Sequence, residues 1–302
     1  MKHGIHFIAG LPRSGSTLLA AILRQNPRFH AGMSSPLATI YMAMQTAVSR
    51  RTEGAMFLDD DQKQALLKGV FENYYHRIGE DRVVFDTNRI WCARMDHIAA
   101  HYPDAKVICC VRHVSWVLDS IERLVRRNIY DLSGIFGFEP GGTVYTRVTR
   151  LAASDGLVGF AIDALREAFH GGHRQRLLLV DYDALTNNPA GTLTVIYRFI
   201  GEAPFDHDFE NVEFDAEAFD ANLGTPGLHT VRRKVAPLGQ ATILPPDLFE
   251  RFANDAFWTD PSRNPQKVPV VRWAPTPRPR RRPPEVAAAL DVATPRAEPG
   301  AA

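Results

Sequence analysis

The chain has 302 residues, of which 45% are hydrophobic, so it is long enough for one large α/β domain or at most two smaller ones. Its formal net charge of +1 excludes a strong overall attraction to nucleic acid or to an anionic membrane, and any basic site must therefore be local. The three cysteines are too few for a disulfide framework or a metal set, and we expect Cys109 and Cys110, which are adjacent in an apolar run, to be buried core residues. No apolar stretch is long enough to span a membrane or to form a signal peptide, so we expect a cytoplasmic protein.

Apolar runs alternate with helical patterns along the first two thirds of the chain. Four short runs predict buried strands: Ile5–Ala9, Val83–Asp86, Val107–Val111 and Leu177–Asp181. Amphipathic patterns with polar, Gly or Pro ends predict helices: Ser16–Gln25, Pro36–Arg50, Asp60–Ile78, Asp96–His101, Ser115–Arg127, Tyr145–Phe169 and Pro189–Ile200. This alternation predicts a three-layer α/β/α fold of the P-loop type, with a central parallel sheet flanked by helices.

The remaining segments lack clear periodicity. Ile129–Gly142 is rich in glycine and aromatic residues, and we expect it to be a loop over the open end of the sheet that shapes an acceptor pocket. Asp247–Trp258 predicts a last helix. We therefore expect one domain over residues 1–273 and a disordered tail, rich in Pro, Arg and Ala, over residues 274–302.

A glycine-rich loop follows the first predicted strand. The run Gly10-Leu11-Pro12-Arg13-Ser14-Gly15-Ser16-Thr17 fits the phosphate-loop pattern except that Ser16 replaces the lysine. A loop between a strand and a helix offers backbone N–H groups and the positive helix end to an anion. The absent lysine argues against a γ-phosphate, and Arg13 can supply positive charge to a phosphate or sulfate instead.

A second positive charge follows the strand Val107–Val111. Arg112 stands at the carboxyl end of that strand, where open parallel sheets bind ligands. Ser120 lies eight residues later, and a loop with about a turn and a half of helix can return its hydroxyl to the same anion. Two anion sites on neighbouring strands would suit a nucleotide that carries phosphate at two positions.

These motifs resemble the sulfotransferase family that uses 3′-phosphoadenosine 5′-phosphosulfate (PAPS). Pro12-Arg13-Ser14-Gly15-Ser16-Thr17 is similar to the family's 5′-phosphosulfate loop in the arginine version found among tyrosylprotein and bacterial sulfotransferases. Arg112 and Ser120 match the arginine and serine that hold the 3′-phosphate of the donor. Asp181-Tyr182-Asp183-Ala184-Leu185 is similar to the family's Tyr-Glu-x-Leu element. The resemblance covers about Ile5 to Gly201, with a weaker similarity near Arg232.

The resemblance implies transfer of a sulfuryl group from PAPS to a hydroxyl acceptor, with PAP (adenosine 3′,5′-bisphosphate) as product and no metal. By analogy with phosphoryl transfer, the N–H groups of Ser14 through Thr17 would hold the 5′-phosphate, and Arg13 would stabilise the bridging oxygen. Arg232, Arg233 or Lys234 would close over the donor, as basic C-terminal segments do in relatives. A hydroxyl-bearing acceptor is thus the expected partner, and the sequence leaves a homodimer open.

The base that activates the acceptor is where the sequence departs from the family. Ser34 stands where tyrosylprotein sulfotransferases carry a glutamate, and Asp86 or Thr87 stands where relatives carry a lysine. Asp86 at a strand end is the best candidate base, provided that its pKa is raised. The alternative is a structural aspartate that bonds to the backbone at the strand end. His30 is a second candidate. Arg89 can replace the absent lysine.

The acceptor and two alternative functions stay open. A peptide tyrosine, a carbohydrate and a small molecule all fit. Arg123, Arg126 and Arg127 on one helix either line a groove for an acidic peptide or form only a solvated face. A P-loop kinase or NTPase is the first alternative, because Asp86 and Asp181 end apolar strands as magnesium-binding aspartates do. A nucleotide-binding relative without catalysis is the second.

Overall fold

The computed structural model describes residues 4–49, 52–140, 142–239 and 241–273. At its centre is a parallel sheet of six strands: β1 Ile5–Gly10, β2 Phe29–Ala31, β3 Val83–Thr87, β4 Val107–Val111, β5 Leu177–Asp181 and β6 Val270–Val271. The spatial order is β2-β3-β1-β4-β5-β6, so β1 lies between β3 and β4. Strands β2 and β3 lie on one side of β1, and the later strands β4 to β6 lie on the other. The carboxyl ends of the central strands meet at one edge of the sheet, which is where open sheets bind ligands.

Helices cover both faces of this sheet, and the α/β/α fold is therefore confirmed. The α-helices of the described residues are α1 Ser16–Leu23, α2 Leu37–Ala47, α3 Asp60–Tyr74, α4 Met95–His101, α5 Val114–Arg127, α6 Val144–Ala152, α7 Leu157–His170, α8 Tyr182–Asn187, α9 Pro189–Ile200, α10 Glu217–Asn222 and α11 Pro246–Arg251. Helices α1 and α9 pack on one face, and α2 to α7 and α11 lie on the other.

Two hydrophobic cores result from the alternation of side chains along the strands. In β4, Val107 and Cys109 belong to one core, whereas Ile108 and Cys110 belong to the other. This is the pattern of a strand that is buried on both faces. All five residues of β4 are fully buried, and the expectation that the cysteines are core residues is confirmed.

One predicted helix is in fact two. The pattern over Tyr145–Phe169 predicts a single helix, but α6 ends at Ala152 and α7 begins at Leu157. The two glycines at positions 156 and 159 explain the break. A Cβ on Gly156 would lie 2.2 Å from the carbonyl oxygen of Arg150, and a Cβ on Gly159 would lie 2.0 Å from that of Ala153. The chain can fold back this closely only because neither residue has a side chain.

Other differences concern short elements. Strands β2 and β6 have three and two residues and give no usable period in the sequence. The predicted helix Asp247–Trp258 is wrong beyond Arg251, because Phe257 and Trp258 form a short 3₁₀ turn and are buried in the core. No helix in the described ranges is long and apolar enough to cross a membrane. The tail over residues 274–302 lies outside the described residues, so the domain boundary stays a prediction.

Candidate active site

The glycine-rich loop joins β1 to α1 and is fastened to the neighbouring strand. Gly10 has φ +121° and lies so close to β4 that an added Cβ would meet the carbonyl oxygen of Cys110 at 2.0 Å. Gly15 has φ +95° and lies at the N-terminus of α1, with the ring of Tyr182 3.1 Å from the place of a Cβ. The Ser14 hydroxyl donates to the carbonyl oxygens of Leu11 and Cys110. The loop is therefore a fixed structure in which both glycines are needed.

The N-terminus of α1 has its backbone N–H groups available. No side chain caps this helix, and its first turn contains no acidic residue. The first N–H groups of a helix have no partner within the helix, and they carry the positive end of the helix dipole. The end of the loop is thus suited to an anion.

Arg13 and Ser120 come together although 107 residues separate them. Nε of Arg13 donates to Oγ of Ser120 at 3.1 Å. The hydroxyl proton of Ser120 is not used in this bond and can be donated to a ligand. Burial, and secondarily the nearby charge of Arg112, lowers the pKa of Arg13 to about 10, so this side chain is still cationic at neutral pH.

Arg112 is the second buried arginine of the site. Its side chain is 9% exposed, its guanidinium lies 4.4 Å from the centre of the Tyr182 ring, and Nη1 faces the carbonyl oxygen of Arg13 at 3.5 Å. Burial lowers the pKa of Arg112, while the negative charges of nearby Asp181 and Asp183 act against that shift. Neither Arg13 nor Arg112 forms an ion pair with a carboxylate of the described residues. Two buried cations without a paired carboxylate favour a site that binds an anion.

A cleft of about 1020 Å³ opens over this loop. Most of the residues expected to bind the donor line it: Pro12, Arg13, Gly15, Ser16, Thr17, Arg112, Ser120 and Arg232. Ser14 is buried beneath the cleft, where its side chain fastens the loop. The structure therefore brings the predicted donor residues together in one cleft at the edge of the sheet.

Asp86 lies elsewhere. It is fully buried in β3 and is not among the residues that line the cleft. Tyr75 donates its hydroxyl to Oδ2 at 2.6 Å, and the Trp91 indole donates to Oδ1 at 2.7 Å. Burial raises the pKa of Asp86, while these hydrogen bonds act against the shift. Both oxygens already accept hydrogen bonds from neighbouring aromatic residues, so this geometry favours a structural role over that of a base.

The other predicted residues near β3 divide into two groups. His30 belongs to β2, packs edge-on against the Tyr75 ring at 5.7 Å, and does not line the cleft. Burial lowers its pKa. Ser34, Thr87 and Arg89 do line the cleft. The hydroxyl of Thr87 is buried and has no hydrogen-bond partner within the described part of the chain, which leaves it available to a ligand.

The three basic residues at positions 232–234 differ in their positions and partners. Arg232 and Lys234 line the cleft, whereas Arg233 does not, and Arg233 pairs with Glu213 at 3.1 Å. Lys234 pairs with Glu210 at 2.8 Å. Arg232 donates to the carbonyl oxygen of Ala236 at 3.2 Å. Of the three predicted residues, Arg232 is therefore the one with a position in the cleft and a charge that no described carboxylate offsets.

The three arginines of α5 do not form a continuous basic groove. Arg123 pairs with Asp119 at 2.7 Å, and Arg126 pairs with Glu122 at 2.9 Å. Arg127 lines the cleft. Ile135, in the segment predicted to shape an acceptor pocket, also lines it.

Sequence reasoning missed a histidine and aspartate pair in the same cleft. Nδ1 of His229 lies 2.5 Å from Oδ1 of Asp220, and the backbone N–H of His229 donates to Oδ2 at 2.8 Å. His229 lines the cleft, and Asp220 is buried behind it. Asp220 lies in the short helix α10 and His229 lies nine positions later in an irregular segment, so no period in the sequence joins them. The only signal is the position of His229 three residues before Arg232.

The sequence of the chain matches the model of a known protein family. The family model described as "Sulfotransferase family" matches residues 6–207, two thirds of the chain. Similar solved structures include the sulfotransferase domain from the curacin biosynthetic pathway, with 19% identity, a TM-score of 0.49, and coverage of 83% of this chain and 91% of that one.

Two further solved structures are similar at the same level. A sulfotransferase from Alicyclobacillus acidocaldarius has 13% identity, a TM-score of 0.49, and coverage of 84% of this chain and 92% of that one. Mouse sulfotransferase SULT7A1 complexed with PAP has 17% identity, a TM-score of 0.43, and coverage of 68% and 61%. Among curated protein sequences, none is significantly similar to this chain. Because the family model matches two thirds of this chain, the chain belongs to the sulfotransferase family.

Proposed function

We propose that this protein transfers the sulfuryl group of PAPS to a hydroxyl acceptor and releases PAP. The observation that carries the proposal is the pair of buried arginines without ion-pair partners among the described residues, Arg13 and Arg112, beside an uncapped helix N-terminus in one cleft. PAPS and PAP are anionic at both the 5′ and the 3′ position, and two separate cationic positions match that distribution of charge. Membership of the sulfotransferase family supports the same donor.

In this proposal the loop binds the 5′ end of the donor. The backbone N–H groups of Ser14 through Thr17 hold the 5′-phosphate, and Arg13 stabilises the negative charge that develops on the bridging oxygen as the bond to sulfur breaks. A group that binds developing charge lowers the barrier more than it tightens ground-state binding. Arg13 is also held in place, because Nε is fixed on Ser120.

Arg112 and Ser120 bind the 3′-phosphate in this proposal. Arg112 stacks on Tyr182, which orients the flat guanidinium and leaves its edge for a phosphate. Ser120 has its hydroxyl proton to donate. Arg232 also lines the cleft, and in this proposal its side chain covers the bound donor.

The geometry gives the kinase alternative less support. Ser16 supplies no charge where a triphosphate-binding loop has its lysine. Both oxygens of Asp86 accept hydrogen bonds from protein groups, and Oδ1 of Asp181 accepts the backbone N–H of Asp183 at 2.8 Å, so neither strand-end carboxylate is placed like a magnesium ligand. The kinase alternative is therefore one of the two outcomes that the binding test below distinguishes.

The lining of the cleft gives one indication of the acceptor class. Beside its cationic part, the cleft is lined by apolar side chains, among them Met42, Ile90, Leu157 and Phe160, and by polar ones, among them Ser34 and Asn88. Apolar surface favours a ligand with an aromatic or aliphatic part, and a few polar groups orient it. We propose that the acceptor hydroxyl belongs to a molecule with an aromatic or aliphatic part.

Titration calorimetry tests the donor assignment. We expect metal-independent, micromolar binding of PAP, and weak binding of ATP with or without magnesium. Adenosine 5′-monophosphate, which lacks the 3′-phosphate, should bind more weakly than PAP. Tight binding of magnesium and ATP with no binding of PAP would overturn the proposed function and favour the kinase alternative.

A further inference from the structure

The base must reach the acceptor hydroxyl, so it must be a group that faces the cleft. Asp86 and His30 lie outside the lining of the cleft. Asp155 lines it, and so does His229. Of these two, His229 has a buried carboxylate behind it, since the side chain of Asp220 is only 3% exposed while that of His229 is 20% exposed.

Asp220 fixes the chemical form of the His229 ring. Its two oxygens accept from two groups of the same residue, Oδ2 from the backbone N–H at 2.8 Å and Oδ1 from Nδ1 at 2.5 Å. An ionised carboxylate only accepts, so Nδ1 carries the proton of the neutral ring and Nε2 carries the lone pair. Nε2 has no hydrogen-bond partner among the residues that the structure describes. The ring therefore presents a proton acceptor that a carboxylate orients from behind, as in other His–Asp pairs.

The segment that carries His229 packs against the helix of the donor site. The place of a Cβ on Gly227 lies 3.9 Å from the Leu124 side chain, one helical turn beyond Ser120 on α5. Asn128 of the same helix donates to the carbonyl oxygen of Pro226 at 3.1 Å. Ser120 in turn bonds to Arg13. The Asp220 carboxylate is close enough to raise the pKa of Arg13, against the larger effect of burial.

We propose that His229 is the general base of sulfuryl transfer and that Asp220 is its positioning residue, an inference that rests on the proposed function. Nε2 of His229 takes the proton from the acceptor hydroxyl as the acceptor oxygen forms its bond to sulfur. The bond between sulfur and the 5′-phosphate oxygen breaks, and its electron pair stays on PAP. The products are the sulfated acceptor, PAP and one proton, which the imidazolium returns to solvent.

The test uses His229→Gln with a matched control. His173→Gln removes the histidine of another His–Asp pair, with Asp96 at 3.1 Å, which does not line the cleft. Radiolabelled PAPS is supplied with a panel of phenols, alkyl alcohols and sugars, and with water alone, and transfer is measured for the acceptor that the wild type uses best. We expect His229→Gln to lower kcat by about 10²- to 10⁴-fold, as for the loss of a general base, with the Kd for PAP within about twofold of wild type. His173→Gln should match the wild type.

The outcomes separate this inference from the proposed function. A protein that does not bind PAP at all would overturn both. If PAP binds and His229→Gln transfers label at a rate within about threefold of wild type, His229 is not the base, whereas the donor assignment stands. A wild type that binds PAP but transfers label to nothing, water included, would also overturn the inference, because no transfer would then depend on His229.

Asp220→Asn tests the positioning role. Asn has a single acceptor oxygen, so either the backbone N–H or Nδ1 of His229 would face an amide group. Imidazole nitrogen NMR of the PAP complex should show Nδ1–H in the wild type and a changed tautomer in Asp220→Asn, with kcat lowered and KM for PAPS unchanged. An unchanged tautomer together with an unchanged kcat would contradict the positioning role.

Discussion

The wall of the cleft that carries Arg13 and Arg112 comes from the ends of β1 and β4, whereas the wall that carries His229 comes from an irregular segment more than a hundred residues later. On the first wall, Arg112 follows β4 directly and Arg13 lies in the short loop after β1, so the sheet fixes the positions of both. On the second wall, hydrogen bonds of side chains and turns fix the positions of the residues, such as those from His229 to Asp220. A sheet edge thus holds the charges that bind the donor, and a separate segment supplies the group proposed to act on the acceptor.

Arg13→Ala should produce the largest effect on the strand-built wall. We expect turnover to fall by roughly 10²- to 10³-fold, as for the loss of one donor to developing negative charge, with a smaller change in PAP affinity. Steady-state transfer from PAPS and calorimetry with PAP separate the two effects. If Arg13→Ala weakened PAP binding as much as it lowered turnover, Arg13 would act in ground-state binding and not in the transition state.

Arg112→Ala should instead act on binding. We expect PAP affinity to weaken by about 2–4 kcal/mol, because a charge-assisted bond is lost and a phosphate is left unpaired. Arg166→Ala, which removes an exposed arginine paired with Asp163 outside the cleft, is the control and should bind PAP like the wild type. Equal affinity of Arg112→Ala and the wild type for PAP would contradict the assignment of Arg112 to the 3′-phosphate.

Asp86→Asn distinguishes structure from catalysis at β3. The substitution places an amide group opposite either Tyr75 or Trp91, both of which donate to Asp86. We expect a loss of about 1–3 kcal/mol in the free energy of unfolding, the cost of a buried donor without an acceptor, measured by denaturant titration. Unchanged stability with abolished transfer would make Asp86 the base and would contradict the role proposed for His229.

Asp181→Asn should change the stability of the fold in a way that depends on pH. Burial raises the pKa of Asp181 to about 6, above that of an unfolded chain, so the folded state binds more protons and the stability contributed by this residue falls as pH rises from about 4 to about 6. The uncharged variant avoids that cost and can still cap α8, as Asp181 does through Asp183. At pH 7 we expect it to be more stable than the wild type by about 1–3 kcal/mol.

Unfolding titrations at several pH values check this prediction. The advantage of Asp181→Asn should shrink as pH falls toward 4, where the wild-type carboxyl is also neutral. A constant difference between the two proteins from pH 7 to pH 4 would show that the Asp181 pKa is not raised in the folded state.

The sequence predicts the strand-built wall well, for a physical reason. The phosphate-loop pattern, the apolar run before Arg112 and the helical spacing to Ser120 are all local, and a parallel sheet brings such local features to one edge. The contact between Arg13 and Ser120 at 3.1 Å follows from that topology. The four long strands and most helices are predicted on the same basis.

The second wall could not be predicted in this way. Its geometry depends on contacts between segments without period, such as Ser133 with Thr225 at 2.5 Å and Asn128 with Pro226. Asp86 illustrates the converse case. Its position at a strand end is visible in the sequence, but the two aromatic donors that occupy its oxygens lie on other elements, 11 and 5 residues away. The position of a residue at a strand end does not show which groups will form hydrogen bonds with its side chain.

A crystal structure of the protein with PAP tests the central claim most directly. The account predicts the 5′-phosphate on the backbone N–H groups of residues 14–17, and the 3′-phosphate within hydrogen-bond distance of both Arg112 and Ser120. A 3′-phosphate that contacts neither residue, or PAP bound outside the cleft, would contradict the account.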